Sequence, residues 1–134
     1  MSEPETADEA LLHAARAARE RAYAPYSRFA VGAAIACANG TLVTGTNVEN
    51  ASYGLAICAE RAAVCAAIAA GYRRFAAIAV AGPDGADCAP CGACRQVLAE
   101  FGGDARVLYT ARAGVVATTV AALLPAAFDA ANLA

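Results

Sequence analysis

Three cysteines, Cys88, Cys91 and Cys94, stand at three-residue intervals in ADCAPCGACR (86–95), and a fourth, Cys58, opens CAERAAVCAAIAAG (58–71). Thiols so placed can hold a metal, form a redox disulfide or fill space. Residues 58–71 and 91–103 read as helices, each following a strand or a strand-adjacent loop, so the cysteines fall at helix starts. A helix N-terminus offers unpaired N–H groups and the positive end of the dipole. Both favour the thiolate, the form that binds metal. Cys91 and Cys94 share one turn, ~300° apart around the axis, so both can face one ion. Adding Cys58 gives three sulfur ligands, a set that favours tetrahedral zinc.

Whether such a site is structural or catalytic turns on the fourth ligand. Three protein ligands leave a position for water, whereas four close the site. Cys88, in the loop before Pro90, is the candidate fourth. Glu60 argues for the open site. It lies two residues after Cys58 and so does not stack with it on one helical face. A carboxylate close to a metal-held water but off the metal is what a general acid/base requires. Three thiolates on a dication total −1, which works against activating water. Arg61, three residues after Cys58, is at a spacing that brings side chains together, and it is expected to donate to a ligating sulfur.

The elements that must position these residues follow from periodicity and turn chemistry. Residues 7–22 read as an amphipathic helix with Leu11, Ala14, Ala15, Ala18 and Ala22 on one stripe, ended by Pro25. Two strands, 29–38 and 41–47, flank Asn39-Gly40, a strong hairpin signal. Residues 49–57 read as a loop, 74–82 as a buried strand, and 106–110 and 115–120 as further strands. A short helical tail interrupted by Pro125 ends the chain. This alternation predicts an α/β fold, a three-layer domain with helices covering a mixed sheet.

Composition bounds the function. The chain has 134 residues, 60% of them hydrophobic, with 41 alanines and no Trp, so one domain spanning 1–134 must be packed around small side chains. A net charge of −2 argues against nucleic-acid binding. Residues 2–9 are acidic and polar, unlike a signal peptide, and no apolar run reaches the ~18–20 residues of a membrane span. A cytoplasmic protein is expected, and in that reducing compartment six cysteines speak for metal binding or burial over disulfides.

CAER (58–61) and PCGACRQ (90–96) resemble the signature of zinc-dependent nucleoside and base deaminases, with Cys/His ligands, a non-ligand Glu and a P-C-x-x-C segment. APYSRFAVGAA (24–34), GTNVENASY (45–53) and LLPAAF (123–128) narrow the likeness to the small homotetrameric cytidine deaminases, from about Tyr23 to Phe128. The resemblance implies a three-layer α/β/α fold with a mixed five-stranded sheet and one zinc per subunit. It also implies hydrolysis of cytidine and 2′-deoxycytidine to uridine and 2′-deoxyuridine with release of ammonia, in pyrimidine salvage. By the same likeness Cys58, Cys91 and Cys94 match the zinc ligands and Cys88 matches none. The resemblance further implies that zinc-bound hydroxide would attack C4 of cytosine while Glu60 shuttled protons. Asn47 and Glu49 would hold the ribose 3′-hydroxyl, Phe29 would pack on the pyrimidine, and the Ala59 backbone would bind its edge. Ala51, Tyr53 and Phe128 would reach a neighbouring subunit's site. Ala126 stands where the family usually has glycine.

Simpler roles compete for several of these residues. Cys37 and Cys65 read as small buried hydrophobes, His13 as a surface residue, and Tyr23 and Tyr26 as core or interface aromatics. For Arg95 and Gln96 the simpler role is support of the third helix, and for Asn47 and Glu49 it is capping of a turn. Two other functions are weighed against cytidine deamination: deamination of another cytosine nucleoside such as blasticidin S, and a structural zinc module binding all four of Cys58, Cys88, Cys91 and Cys94.

Overall fold

The computed structural model describes residues 4–133. Helix α1 (Ala7–Arg19) starts at Thr6, whose hydroxyl accepts from the Glu9 N–H while the Glu9 carboxylate accepts from the Thr6 N–H. Asp8 and Glu9 sit in its first turn and Arg16 and Arg19 in its last, matching the dipole. It stops short of Ala22 because the N–H groups of residues 20–22 turn to carbonyls three residues back, and Tyr23 N–H then bonds Asn47 O.

Strands β1 (Gly32–Cys37) and β2 (Leu42–Thr46) form the expected antiparallel hairpin. The turn is not the two-residue type that Asn-Gly most often makes. Gly40 N–H bonds Cys37 O, Cys37 N–H bonds Thr41 O, and Gly40 takes φ +90°, which makes a three-residue loop with glycine at its left-handed position. The first strand begins at Gly32 instead of Phe29 because the Asn47 side chain occupies the backbone just before it, accepting from Val31 N–H and donating to Phe29 O. Beyond the hairpin come α2 (Ala59–Ala69), β3 (Phe75–Ala81), α3 (Gly92–Gly102), β4 (Arg106–Ala111), β5 (Gly114–Thr119) and α4 (Val120–Leu123). A single 3-10 turn at Tyr53–Leu55 interrupts the loop before α2.

The sheet order is β2-β1-β3-β4-β5, mixed because only β3 and β4 run parallel. That pair is joined through α3, as a parallel connection requires. Helix α1 packs on one face; α2 and α3 pack on the other. The face under α1 is lined by Ala34, Ala77, Ala79 and Ala81, with Leu11 and Leu108 as the larger members. Ile35, Ile78, Val80 and Val107 point to the opposite face, beneath α2 and α3.

Alanine and glycine bring the helices close to the sheet. A Cβ on Gly32 would lie 2.9 Å from the Arg19 Cα and overlap the Ala15 carbonyl. A Cβ on Gly45, in β2, would lie 2.7 Å from Ala59 O and 2.8 Å from Ala63 Cα. The first turns of α2 thus rest directly on the β2 backbone.

Cys37 is buried as expected, but Cys65 is exposed on the outer side of α2. Tyr23 and Tyr26 are 53% and 48% exposed, so they are not core residues of this chain. His13 lies at the surface. Ala126 has φ +55°, a left-handed conformation that favours glycine.

Candidate active site

Cys58 and Cys91 are the N-cap residues of α2 and α3, and neither helix has a side-chain cap. The N–H groups of both first turns are therefore left for sulfur or ligand. Because β1 and β3 are neighbours and both helices cover the same face, the two N-termini converge. Cys58 Sγ lies 3.9 Å from Cys91 Sγ, which lies 3.4 Å from Cys94 Sγ. All three sulfurs fall within 4.8 Å of one another.

That size fits a metal. A tetrahedral zinc with Zn–S of ~2.3 Å holds its sulfurs ~3.8 Å apart. The donor set of three thiols is also the kind zinc prefers. Cys88 is buried nearby but stands outside the cluster.

The electrostatics point to a cation. Burial, then the charge of Glu60, then the neighbouring sulfurs push the Cys94 thiol far above its ordinary value. Burial also opposes ionisation of Cys91, but the Cys94 backbone N–H and the Cys94 and Cys58 thiols outweigh it and bring Cys91 below the ordinary value. A dication among the sulfurs would favour the thiolate at all three. Arg61 Nη2 donates to Cys58 Sγ at 3.3 Å, and this bond, ahead of the opposing effect of burial, raises the Arg61 pKa. Its Nε is buried with no partner among the described residues.

Glu60 is 5% exposed and lines a cavity of about 300 Å³ whose wall also holds Cys58, Cys91, Phe29 and Ala59. Burial raises its carboxyl pKa, partly offset by its own backbone N–H, Cys94 and the Arg61 charge. A carboxyl held above the ordinary carboxylate range is a better proton acceptor than a free one and can return the proton it takes.

Asn47 and Glu49 lie on the same cavity, already bonded within the chain. Asn47 clamps the backbone on both sides of Ala30, through Val31 N–H at 2.9 Å and Phe29 O at 2.8 Å. Glu49 Oε1 accepts from Tyr26 and Ser27 N–H at 2.9 and 3.1 Å, and its Oε2 accepts from the Ser27 hydroxyl. That hydroxyl in turn accepts from Phe29 N–H at 3.0 Å. Phe29 is therefore fixed through its N–H by Ser27 and through its C=O by Asn47. Ala51, Tyr53 and Phe128 are exposed and do not line this cavity.

Sequence patterns did not single out Ser27, Thr110, or the bracing role of Arg95. Arg95 Nε donates to Pro90 O at 2.8 Å and Nη1 to Leu123 O at 3.0 Å, tying the cysteine loop to the tail. Gln96 Nε2 donates to Phe128 O at 2.9 Å. Thr110 is buried and bonds Gly82 N–H through Oγ1 and Cys88 N–H through its carbonyl, each at 2.9 Å. A lone threonine in a strand carries no signal of such a task.

Comparison with known proteins bears on this geometry. Residues 5–111 match the family described as "Cytidine and deoxycytidylate deaminase zinc-binding region". A cytidine deaminase of Halalkalibacterium halodurans is 47% identical over 125 residues, 92% of this chain and 95% of that protein. The crystal structure of cytidine deaminase from Burkholderia pseudomallei is similar at 54% identity and a TM-score of 0.82, covering 89% of this chain and 97% of that one. A blasticidin-S deaminase of Bacillus cereus is 32% identical over 103 residues, 71% of this chain and 74% of that protein.

Proposed function

Because the chain belongs to the cytidine and deoxycytidylate deaminase family, we propose that its cavity binds a cytosine nucleoside, with Cys58, Cys91 and Cys94 as zinc ligands and Glu60 as proton carrier. The protein is a zinc-dependent cytidine deaminase, converting cytidine and 2′-deoxycytidine to uridine and 2′-deoxyuridine with release of ammonia. The observation that carries this is a buried carboxyl, Glu60, lining the same cavity as the sulfur cluster.

Zinc, when bound, supplies a Lewis acid that makes water a nucleophile at neutral pH. Glu60 takes a proton from the attacking water, delivers one to ring N3, and assists the departing amine. Its raised pKa suits both directions of transfer. Arg61, through Cys58 Sγ, and the two uncapped helix N-termini offset the thiolate charge. The Ala59 N–H, at the first position of α2, binds the pyrimidine edge, and Phe29 packs against the ring. Asn47 and Glu49 hold the ribose 3′-hydroxyl with the hydrogen-bonding capacity their internal bonds leave: one Nδ2–H and the free lone pairs of the carboxylate.

Ala51, Tyr53 and Phe128 serve the site of a neighbouring subunit in a homotetramer. The support is the exposure of large apolar side chains in these segments: Tyr53 is 76%, Leu55 67% and Phe128 58% exposed. Over the described residues no helix is long and apolar enough to cross a membrane. A single domain, a cytoplasmic location and a role in pyrimidine salvage complete the proposal. The likeness to blasticidin-S deaminase is the weaker one, at 32% identity against 47%. A four-cysteine structural site is at odds with the place of Cys88 outside the cluster.

The test is ammonia release from cytidine and deoxycytidine by the zinc-loaded protein. Glu60→Gln should keep its zinc and lose turnover by ~10²–10⁴-fold, the range for positioned acid–base groups. A fully active Glu60→Gln variant would sink the mechanism.

A further inference from the structure

One thiol of the cavity is left without a task. Cys88 lines it, is 8% exposed, and stands outside the sulfur cluster. Its position is fixed from two sides. Its N–H donates to Thr110 O, and Thr110 Oγ1 accepts from Gly82 N–H, so one buried residue holds both segments. The Cys88 side chain lies directly against Gly82: a Cβ there would be 2.7 Å from Cys88 Cβ and 2.8 Å from its Sγ, with Phe29 Cε1 at 3.6 Å. Cys88 therefore cannot retreat toward Gly82 from whatever fills the cavity, whose wall also holds Phe29.

We propose that Cys88 is a specificity-determining residue of this site, the fixed wall that limits what a cytosine ring can carry at C5. This rests on the deaminase reading above. In that reading the amine-bearing C4 lies at the sulfur cluster and Glu60 reaches N3. C5 is the other ring neighbour of C4, so its substituent meets the wall that Glu60 does not occupy. Cys58 and Cys91 are committed to metal; of the other lining residues beside them in the 88–91 loop, Cys88 is the buried one, whereas Ala89 is exposed. The site thus selects for cytosine nucleosides with little or nothing on C5.

The experiment has two arms on the zinc-loaded full-length protein. In the first, kcat/KM is measured for cytidine and 5-methylcytidine with wild type, Cys88→Ala and Cys88→Val, with zinc content checked in each. Cys88→Ala should raise the 5-methylcytidine to cytidine ratio about tenfold, the effect expected of one methyl-sized change in a pocket. Cys88→Val should lower it, with zinc unchanged in both. An unchanged ratio in both variants overturns the proposal, as does loss of zinc from Cys88→Ala.

The second arm follows thiol labelling by methyl methanethiosulfonate. The Cys88 sulfur takes up the methylthio group as a disulfide, methanesulfinate leaves, and the thiol proton goes to solvent. The modified cysteine is located by fragment mass spectrometry, with exposed Cys65 as internal reference. Cys88 is buried and Cys65 exposed, so Cys88 should label more slowly than Cys65. Saturating cytidine should slow it further and leave Cys65 unaffected. Labelling of Cys88 indifferent to cytidine overturns the wall assignment. Protection by cytidine in a protein that releases no ammonia would keep the wall and overturn the deaminase reading instead.

Discussion

Replacing Gly45 with alanine should disable the site from a position that carries no chemistry. Gly45 lies in β2 beneath the start of α2, and an added Cβ would stand 2.7 Å from Ala59 O and 2.8 Å from Ala63 Cα. Ordinary van der Waals contact begins at 3.4 Å, so α2 must move off the strand by at least 0.7 Å at its N-terminal end. These two obstacles, and Ala63 N, which lies closer still, are all helix backbone, so no side-chain rotation relieves the clash. The moving end carries Cys58 and Glu60, whereas Cys91 and Cys94 belong to α3 and stay. A cluster whose Cys58–Cys91 separation is 3.9 Å cannot absorb such a shift without opening.

The expected stability loss is that of overpacking, ~1–3 kcal/mol. A displacement of ~1 Å of catalytic groups costs ~10²-fold in rate. Chemical denaturation, zinc competition with a chromogenic chelator, and steady-state turnover would each be measured. Gly103→Ala is the control, because its Cβ would meet only Ala99 O at 3.7 Å. It should change stability by less than ~0.5 kcal/mol and leave turnover intact. If Gly45→Ala kept the wild-type denaturation midpoint, zinc affinity and turnover, the contact would not be what seats α2.

Arg61→Ala removes the donor to Cys58 Sγ and should weaken zinc binding ~10–100-fold, as loss of a supporting contact to a metal ligand does; unchanged chelator competition would contradict the charge-balance argument. A second acid response should appear at Glu49, at lower pH than that of Glu60. The Ser27 hydroxyl, then the Ser27 and Tyr26 N–H groups, hold its carboxyl below the ordinary 4.5 against a desolvation effect of opposite sign. A depressed folded pKa means that this support is complete above 4.5 and lost as pH falls through the folded value. Amide exchange at Tyr26 and Ser27, corrected for intrinsic rates, should therefore accelerate below about pH 4.5 in wild type. In Glu49→Gln the rates should be high throughout, and an identical profile in both proteins would refute the assignment.

How much of this was legible in the sequence depends on whether the information is local and chemical. The pair Cys91 and Cys94 and the neighbours of Cys58 are set by spacing within one helical turn, which is why a three-sulfur cluster could be anticipated; spacing left Cys88 open as a fourth ligand, and only the family resemblance set it outside. The hairpin was legible from Asn39-Gly40, but not its three-residue loop, because either turn accepts those residues. The rest of the strand order was not legible, since β3 pairs with β1 and with β4 through contacts that no short motif records. Cys65 was misjudged because an alanine-rich helix reads as apolar on every side, and only packing decides that its outer side faces away from the sheet.

The same alanine bias explains what matters most for the site. The helix starts that bear Cys58 and Cys91 must meet within one ion's reach, and this requires α2 to sit low on the sheet. The residue that allows it is Gly45, which contributes no side chain at all. Asn47, two residues on, immobilises Phe29 and Val31, and Glu49 immobilises Tyr26 and Ser27. One short segment, 45–49, therefore sets the height of the helix that bears Cys58 and Glu60 and the shape of the cavity proposed for the nucleoside together. A substitution within it should couple zinc retention to substrate affinity, a coupling that independent binding and catalytic elements would not show.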